Sequence, residues 1–84
     1  MAIPTVMTFP TLDQAESALD WIGLDFADAE GGFEGDLVAA DAELLDEAIA
    51  ADDTPDEVRA LARALRTLIG AHSDGAAFRV AFEA

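Results

Sequence analysis

The sequence predicts an α+β fold in which a small antiparallel sheet of two or three strands, the N- and C-terminal strands included, packs against two or three helices. Three observations carry that prediction. Apolar residues alternate with period two at both ends of the chain, they recur at helical spacing in three stretches between, and helix start signals stand at the head of two of those stretches. Two isolated strands are marginal, so the terminal strands are expected to pair with each other or with a third from the glycine-rich middle, their apolar faces covered by helices. At 84 residues the whole chain, 1–84, is expected to form one domain, near the small end of those that build a core unaided. It has no cysteine, hence no disulfide, thiolate metal site or thiol nucleophile.

At the N-terminal end, Ile3, Thr5, Met7 and Phe9 alternate with Pro4, Val6 and Thr8, as in a strand with one mainly apolar face. Pro4 restricts it to an edge or a strand start. Pro10 breaks the strand and Thr11 opens a helix as N-cap, with Gln14 in the capping-box position. Leu12, Ala15, Ala18, Leu19 and Ile22 form its buried stripe, and Asp13, Glu16 and Asp20 an acidic stripe beside it. Trp21 lies far from the centre of the apolar stripe on a helical wheel. It is read first as wrapped by the next loop, and otherwise as an exposed anchor for a partner. Gly23 ends the helix.

The next segment, Leu24 to Asp36, mixes acids with Phe26, Phe33 and three glycines. It is read as a solvated loop pinned by its two phenylalanines; the alternative is a short strand followed by a Gly31-Gly32 turn. Its carboxylates Asp25, Asp28, Glu30, Glu34 and Asp36 do not fit a calcium loop. Counted from Asp28, Phe33 falls where that loop needs glycine and Ala39 where it needs its closing glutamate.

Leu37 to Ala51 is a third helical run, with Leu37, Leu44, Leu45, Ala48 and Ile49 inward, Glu43, Asp46 and Glu47 outward, and Asp41 at the boundary. Asp52 and Asp53 follow, so acids crowd the carboxyl end of this helix, where the dipole disfavours them. Breaches of helix rules are enriched at functional sites, which makes Glu43, Asp46, Glu47, Asp52 and Asp53 the first candidate binding patch. Asp13, Glu16, Asp20 and Trp21 complete the candidate partner-binding set.

The best-specified helix is Thr54 to Gly70, TPDEVRALARALRTLIG. Thr54 suits the N-cap, Pro55 the first helical position and Glu57 the capping box, while Asp56 and Glu57 complement the positive end of the dipole. Val58, Leu61, Ala62, Leu65, Leu68 and Ile69 make one apolar stripe, and Gly70 offers a left-handed stop. Arg59, Arg63 and Arg66 form a basic ridge along the same helix. That ridge is expected to pair with carboxylates on neighbouring elements and so neutralise part of the acidic patch beside it. After a turn-rich connection, Phe78, Val80 and Phe82 alternate with Arg79, Ala81 and Glu83 in a half-buried closing strand.

No catalytic or cofactor motif stands out. His72-Ser73-Asp74 holds the residue types of a hydrolase triad, but side chains adjacent in sequence rarely converge as a triad must. A phosphate-cradling glycine loop, an HExxH pair and Cys/His metal spacing are all missing, so the expectation is a protein that is not an enzyme and uses no cofactor. The opening MAIPTVMTF carries no basic region and too short an apolar run for a secretory signal or membrane span, and a soluble, cytoplasmic protein is expected.

Charge is the unusual property. Eleven Asp and seven Glu face four Arg and no Lys, a net charge of −14, although 52% of the residues are hydrophobic. That apolar content argues for acid on a folded surface rather than in a disordered tail. Repulsion of this size destabilises a compact state, so either a basic partner or a salty solvent is expected to favour it; duplex DNA and anionic membranes would be repelled. The arginine ridge lacks Lys and Tyr neighbours, which argues against direct nucleic-acid binding.

Two functional classes follow. In the first, the acid surface imitates a nucleic-acid backbone and occupies the basic groove of a protein that handles DNA or RNA. About 30 Å of duplex presents about 18 phosphates, a total the carboxylates match. In composition, a small Asp/Glu-rich, Lys-poor, cysteine-free chain, the protein is similar to phage DNA-mimic inhibitors such as anti-CRISPR and anti-restriction proteins, and to acidic immunity proteins and antitoxins that block nucleases. That resemblance implies a protein partner and no particular site residue. In the second class the acid is an adaptation to salt in an ordinary interaction or structural module, which the absence of Lys and the abundance of Asp and Ala also fit.

Overall fold

A computed structural model describes residues 3–72 and 74–83. The elements follow in the order β1 (Thr5–Phe9), α1 (Leu12–Ile22), β2 (Ala27–Ala29), β3 (Gly32–Leu37), α2 (Asp41–Ala50), α3 (Asp56–Ala71) and β4 (Ala76–Phe82). The fold is α+β as expected, but the sheet differs from the prediction in size and direction. It has four strands in the order β1-β4-β3-β2. β1 runs parallel to β4, while β3 is antiparallel to both β4 and β2. A period-two pattern carries no information about strand direction, and a parallel pair only requires a long crossover, which everything between β1 and β4 supplies.

Cross-strand partners share a face, and the register, apart from a shift in β1 between Thr5 and Met7, divides the sheet into two sides. Phe9 sits opposite Phe82, Phe33 opposite Val80, and Leu37 opposite Ala76. Phe9, Phe33, Leu37, Phe78 and Val80 are buried, and α1 and α3 lie against this side. Their stripes supply Ala15, Ala18, Leu19 and Ile22 from α1 and Val58, Leu61, Ala62, Leu65 and Ile69 from α3. α2 packs mainly on α3 and adds Leu45 and Ala48 to the same core. The other side of β1 and β4 carries Thr5, Thr8, Ala77, Arg79 and Ala81, with no acid among them. The result is two layers, 16 Å across the Cα atoms in the thin direction, with all three helices on one side.

The segment read as a solvated loop is a β-hairpin. Ala27 pairs with Glu34 and Ala29 with Gly32, around a turn at Glu30 and Gly31, whose φ of 76° suits glycine. The two phenylalanines do anchor it: Phe26 meets Phe33 edge to face at 5.0 Å between centroids. Gly35 permits the sheet to close, because a Cβ there would stand 2.8 Å from the Phe78 ring and from the Asp25 carbonyl.

Helix ends are right for α1 and shifted elsewhere. The Gln14 amide donates to Thr11 Oγ1 at 3.2 Å, and Gly23, at φ 89°, donates to the carbonyls of Asp20 and Leu19. Leu37 belongs to β3 rather than to the third helical run, which starts only at Asp41. Thr54 is not the N-cap of α3: the helix begins at Asp56 after Pro55, whose carbonyl accepts the first helical bond from Arg59. Gly70 is no stop either, since α3 continues to Ala71 and the positive-φ turn falls at Gly75.

These ends give opposite signs for two glycine substitutions. Gly70→Ala, in the last turn of α3 with Arg66 Nη1 3.8 Å from the new methyl, is expected to stabilise the fold by about 0.5 kcal/mol. Gly23→Ala, forced into a left-handed conformation, is expected to cost about 1 kcal/mol. Urea unfolding of both variants checks the pair; a loss at Gly70 would mean that the helix ends there.

Candidate functional site

Backbone demand determines where the arginines go. The last carbonyls of a helix have no partner within it. Arg59 reaches across from α3 to the end of α2, where its Nε donates to the Ile49 carbonyl at 3.0 Å and its Nη2 to the Ala51 carbonyl at 2.7 Å. A cation at that end also satisfies the dipole that Asp52 and Asp53 oppose. The predicted conflict at the carboxyl end of α2 is thus resolved by an arginine bound to backbone. Arg66 pairs with Asp46 at 3.0 Å, both partly exposed. Arg79, on the open side of the sheet, pairs with Glu34 at 3.3 Å and donates to the Glu30 carbonyl, clasping the hairpin turn to β4.

Neutralisation of the acidic patch is correspondingly slight. Of Glu43, Asp46, Glu47, Asp52 and Asp53, only Asp46 has an arginine within 4 Å among the described residues. Asp56 lies 3.6 Å from Arg59 Nη1, but it is fully exposed and such a contact contributes little. Arg63 is exposed and, among the described residues, approaches no carboxylate. Asp13, Glu16 and Asp20 on α1 are all exposed, as are Glu43, Asp46 and Glu47 on α2, Asp52 and Asp53 in the following loop, and Asp56 and Glu57 at the head of α3. Ten carboxylates therefore clothe the helical layer and its α2–α3 connection. Asp25, Asp28 and Glu30 extend the acid around the hairpin.

Trp21 joins the two predicted groups. It is 48% exposed, so the next loop does not wrap it. On one side it lines a groove between α1 and the start of α3 together with Asp13, Gln14, Pro55 and Glu57. On the other it lines a groove toward the end of α2 with Leu44, Glu47, Ala48, Ala51 and Thr54. Leu44, predicted inward, is 37% exposed at this second groove, because α2 leans on α3 and leaves that flank uncovered. Thr54, Leu44 and Glu57 were not among the predicted site residues. Thr54 in particular reads as a cap from sequence, whereas it is 4% exposed and its Oγ1 is buried with no hydrogen-bond partner among the described residues.

Among the described residues no three His, Asp or Glu side chains converge as a metal site requires. His72 and Asp74 are exposed, and Ser73 lies outside the described residues. Among the described residues no helix is long and apolar enough to cross a membrane.

The arginine assignments predict unequal effects on stability. Arg59→Met, which keeps the aliphatic stem but removes the donor to the Ile49 carbonyl and leaves the Ala51 carbonyl with only the Thr54 amide at 3.4 Å, is expected to cost about 1–2 kcal/mol, and Arg63→Met less than about 0.5 kcal/mol. Equal losses in urea unfolding would show that Arg59 acts as one more surface charge. Compared with protein-family models, with characterised proteins and with solved structures, the chain matches none.

Proposed function

We propose that this protein works by binding rather than catalysis, as a small acidic inhibitor that covers the basic, nucleic-acid-gripping surface of a partner protein. One observation carries the reading: among the described residues, ten exposed carboxylates on the helical layer and its α2–α3 connection meet only two arginines within 4 Å, at Asp46 and Asp56. Like charges held together without counterions raise the energy of the free protein, and a cationic surface relieves that repulsion on contact. A protein surface shaped to hold phosphates offers Arg and Lys at comparable density. In this reading the anti-CRISPR, anti-restriction and nuclease-immunity types are the functional analogues, and the acidic face acts as the DNA mimic.

A second reading, acid as salt adaptation in an interaction or structural module, has its own support. The hairpin carboxylates Asp25 and Glu30 belong to the strand connections rather than to the helices, where a single mimic face does not need them.

The inhibitor reading is tested with purified basic nucleases and DNA-binding proteins offered at low salt. It expects an affinity that falls by about tenfold or more on going to physiological salt, with displacement by heparin and by duplex DNA. Binding indifferent to salt and to both polyanions would contradict it.

A further inference from the structure

Sixteen of the eighteen carboxylates fall between Asp13 and Glu57, and the other two are Asp74 and Glu83. Residues 3–12 and 58–72 hold none, although they supply all of β1 and nearly all of α3, which lie against each other. β1 is also an edge strand of the sheet. Soluble proteins guard such edges with charge, because unpaired backbone groups attract further strands. The β2 edge follows that rule, with Asp28 in the strand and Asp25 and Glu30 on either side of it. The β1 edge breaks it, since Thr5–Phe9 is uncharged. The Phe9 carbonyl accepts from the Glu83 amide, so Phe9 turns its backbone groups toward β4, and exposed Thr8 before it turns its own N–H and C=O outward. Beside this edge stands a flank of α3 that permits close approach. Arg59 and Arg66 reach α2, and on the flank turned the other way Ala60, Ala64, Leu68 and Ala71 recur at helical spacing. Leu68 lines a groove with Ile3 and Pro4, which places that flank over the start of β1.

We infer that the β1 edge takes β1 of a second copy of this chain, the two strands antiparallel about a two-fold axis at Thr8, with the α3 helices side by side above them. Charge selects this occupant. A cationic partner is drawn to carboxylates, which this edge lacks, whereas a copy of a chain of net charge −14 approaches at least cost where neither surface carries acid. The contact is isologous: Thr8 meets Thr8, and each donates to the carbonyl of the other. Pro4 and Pro10 have no N–H, so they bracket the pairing and keep it short. The axis stands perpendicular to the sheet, because antiparallel neighbours keep their faces. The two four-stranded sheets therefore join into one, with the helices of both copies on the same side and the acidic layer doubled in length. The inference does not rest on the inhibitor reading, and either stands without the other.

The test is sedimentation equilibrium of the purified chain up to millimolar concentration at low and at high salt. A dimer is expected, with a dissociation constant that falls by about tenfold or more between about 0.05 M and about 0.5 M sodium chloride, as screening relieves the repulsion between copies. Thr8→Pro removes the outward N–H that the pairing uses, in an edge position that accepts the ring, and should give a folded monomer. Thr8→Val keeps that N–H and should keep the dimer. Thr8→Glu sets two like charges together at the axis and should also give a folded monomer, which decides the matter if the proline variant does not fold. Ser17→Glu, the same charge added to exposed α1 surface, should leave the dimer in place. A wild-type chain that stays monomeric at millimolar concentration and high salt overturns the inference. A dimer that survives Thr8→Glu, or Thr8→Pro in folded form, overturns it too, by assigning the contact to another surface.

Discussion

Phe78 and Val80 occupy the position on which the rest of the structure depends. Both are fully buried on β4, the strand that pairs with β1 on one side and with β3 on the other. Without β4, the N-terminal strand and the β2–β3 hairpin would have no common partner, and the helices no continuous floor. The packing of these two side chains, with Phe33 and Phe9, against the stripes of α1 and α3 makes a core on one side of the sheet only. This one-sidedness has a functional consequence. Every helix lies on the same side, so the outward faces of all three helices form one continuous surface, and most of the acid is there.

Four arginines cannot neutralise eighteen carboxylates, and the fold uses two of the four for other work. Arg59 closes the carboxyl end of α2 through backbone carbonyls, and Arg79 clasps the hairpin to the central strand. These are contacts that a small cysteine-free domain needs for its scaffold. Their use leaves the acidic surface uncompensated, with an exposed tryptophan in its midst. The stability the carboxylates forgo in repulsion is therefore available as attraction to a cationic partner, and the same charges that penalise the free protein favour the complex.

What could be read from the sequence was what local chemistry decides. Thr11, Gln14 and Gly23 gave α1 both its ends, and the alternation at Phe78, Val80 and Phe82 gave β4 its inward face. The stripe of α3 was legible for the same reason, five of its six predicted residues being buried. The misreadings belong to tertiary context. Leu37 fits a helical pattern as well as a strand end, and only its pairing with Ala76 decides between them. Leu44 sits on the helical stripe, yet no element covers its flank. Thr54-Pro55 carries every mark of a cap, but burial beneath the α1–α2 junction outweighs the marks. The candidate acids were legible because carboxylates stay in water. That only Asp46 of them meets an arginine among the described residues was not, because Arg59 finds carbonyls that only the α2–α3 packing brings within reach.

At the centre of this account is the claim that the apolar core, with the arginine-to-carbonyl clasps, holds the fold against its charge without help from salt, leaving the acidic surface free to serve recognition. The most direct measurement is urea unfolding followed by far-ultraviolet circular dichroism, carried out at millimolar and at molar sodium chloride. The account predicts a folded, cooperatively unfolding protein at both concentrations, with salt raising the midpoint modestly. A chain that is unfolded at millimolar salt and folds only as the salt approaches molar would contradict it, and would show the acid to be an adaptation to the solvent.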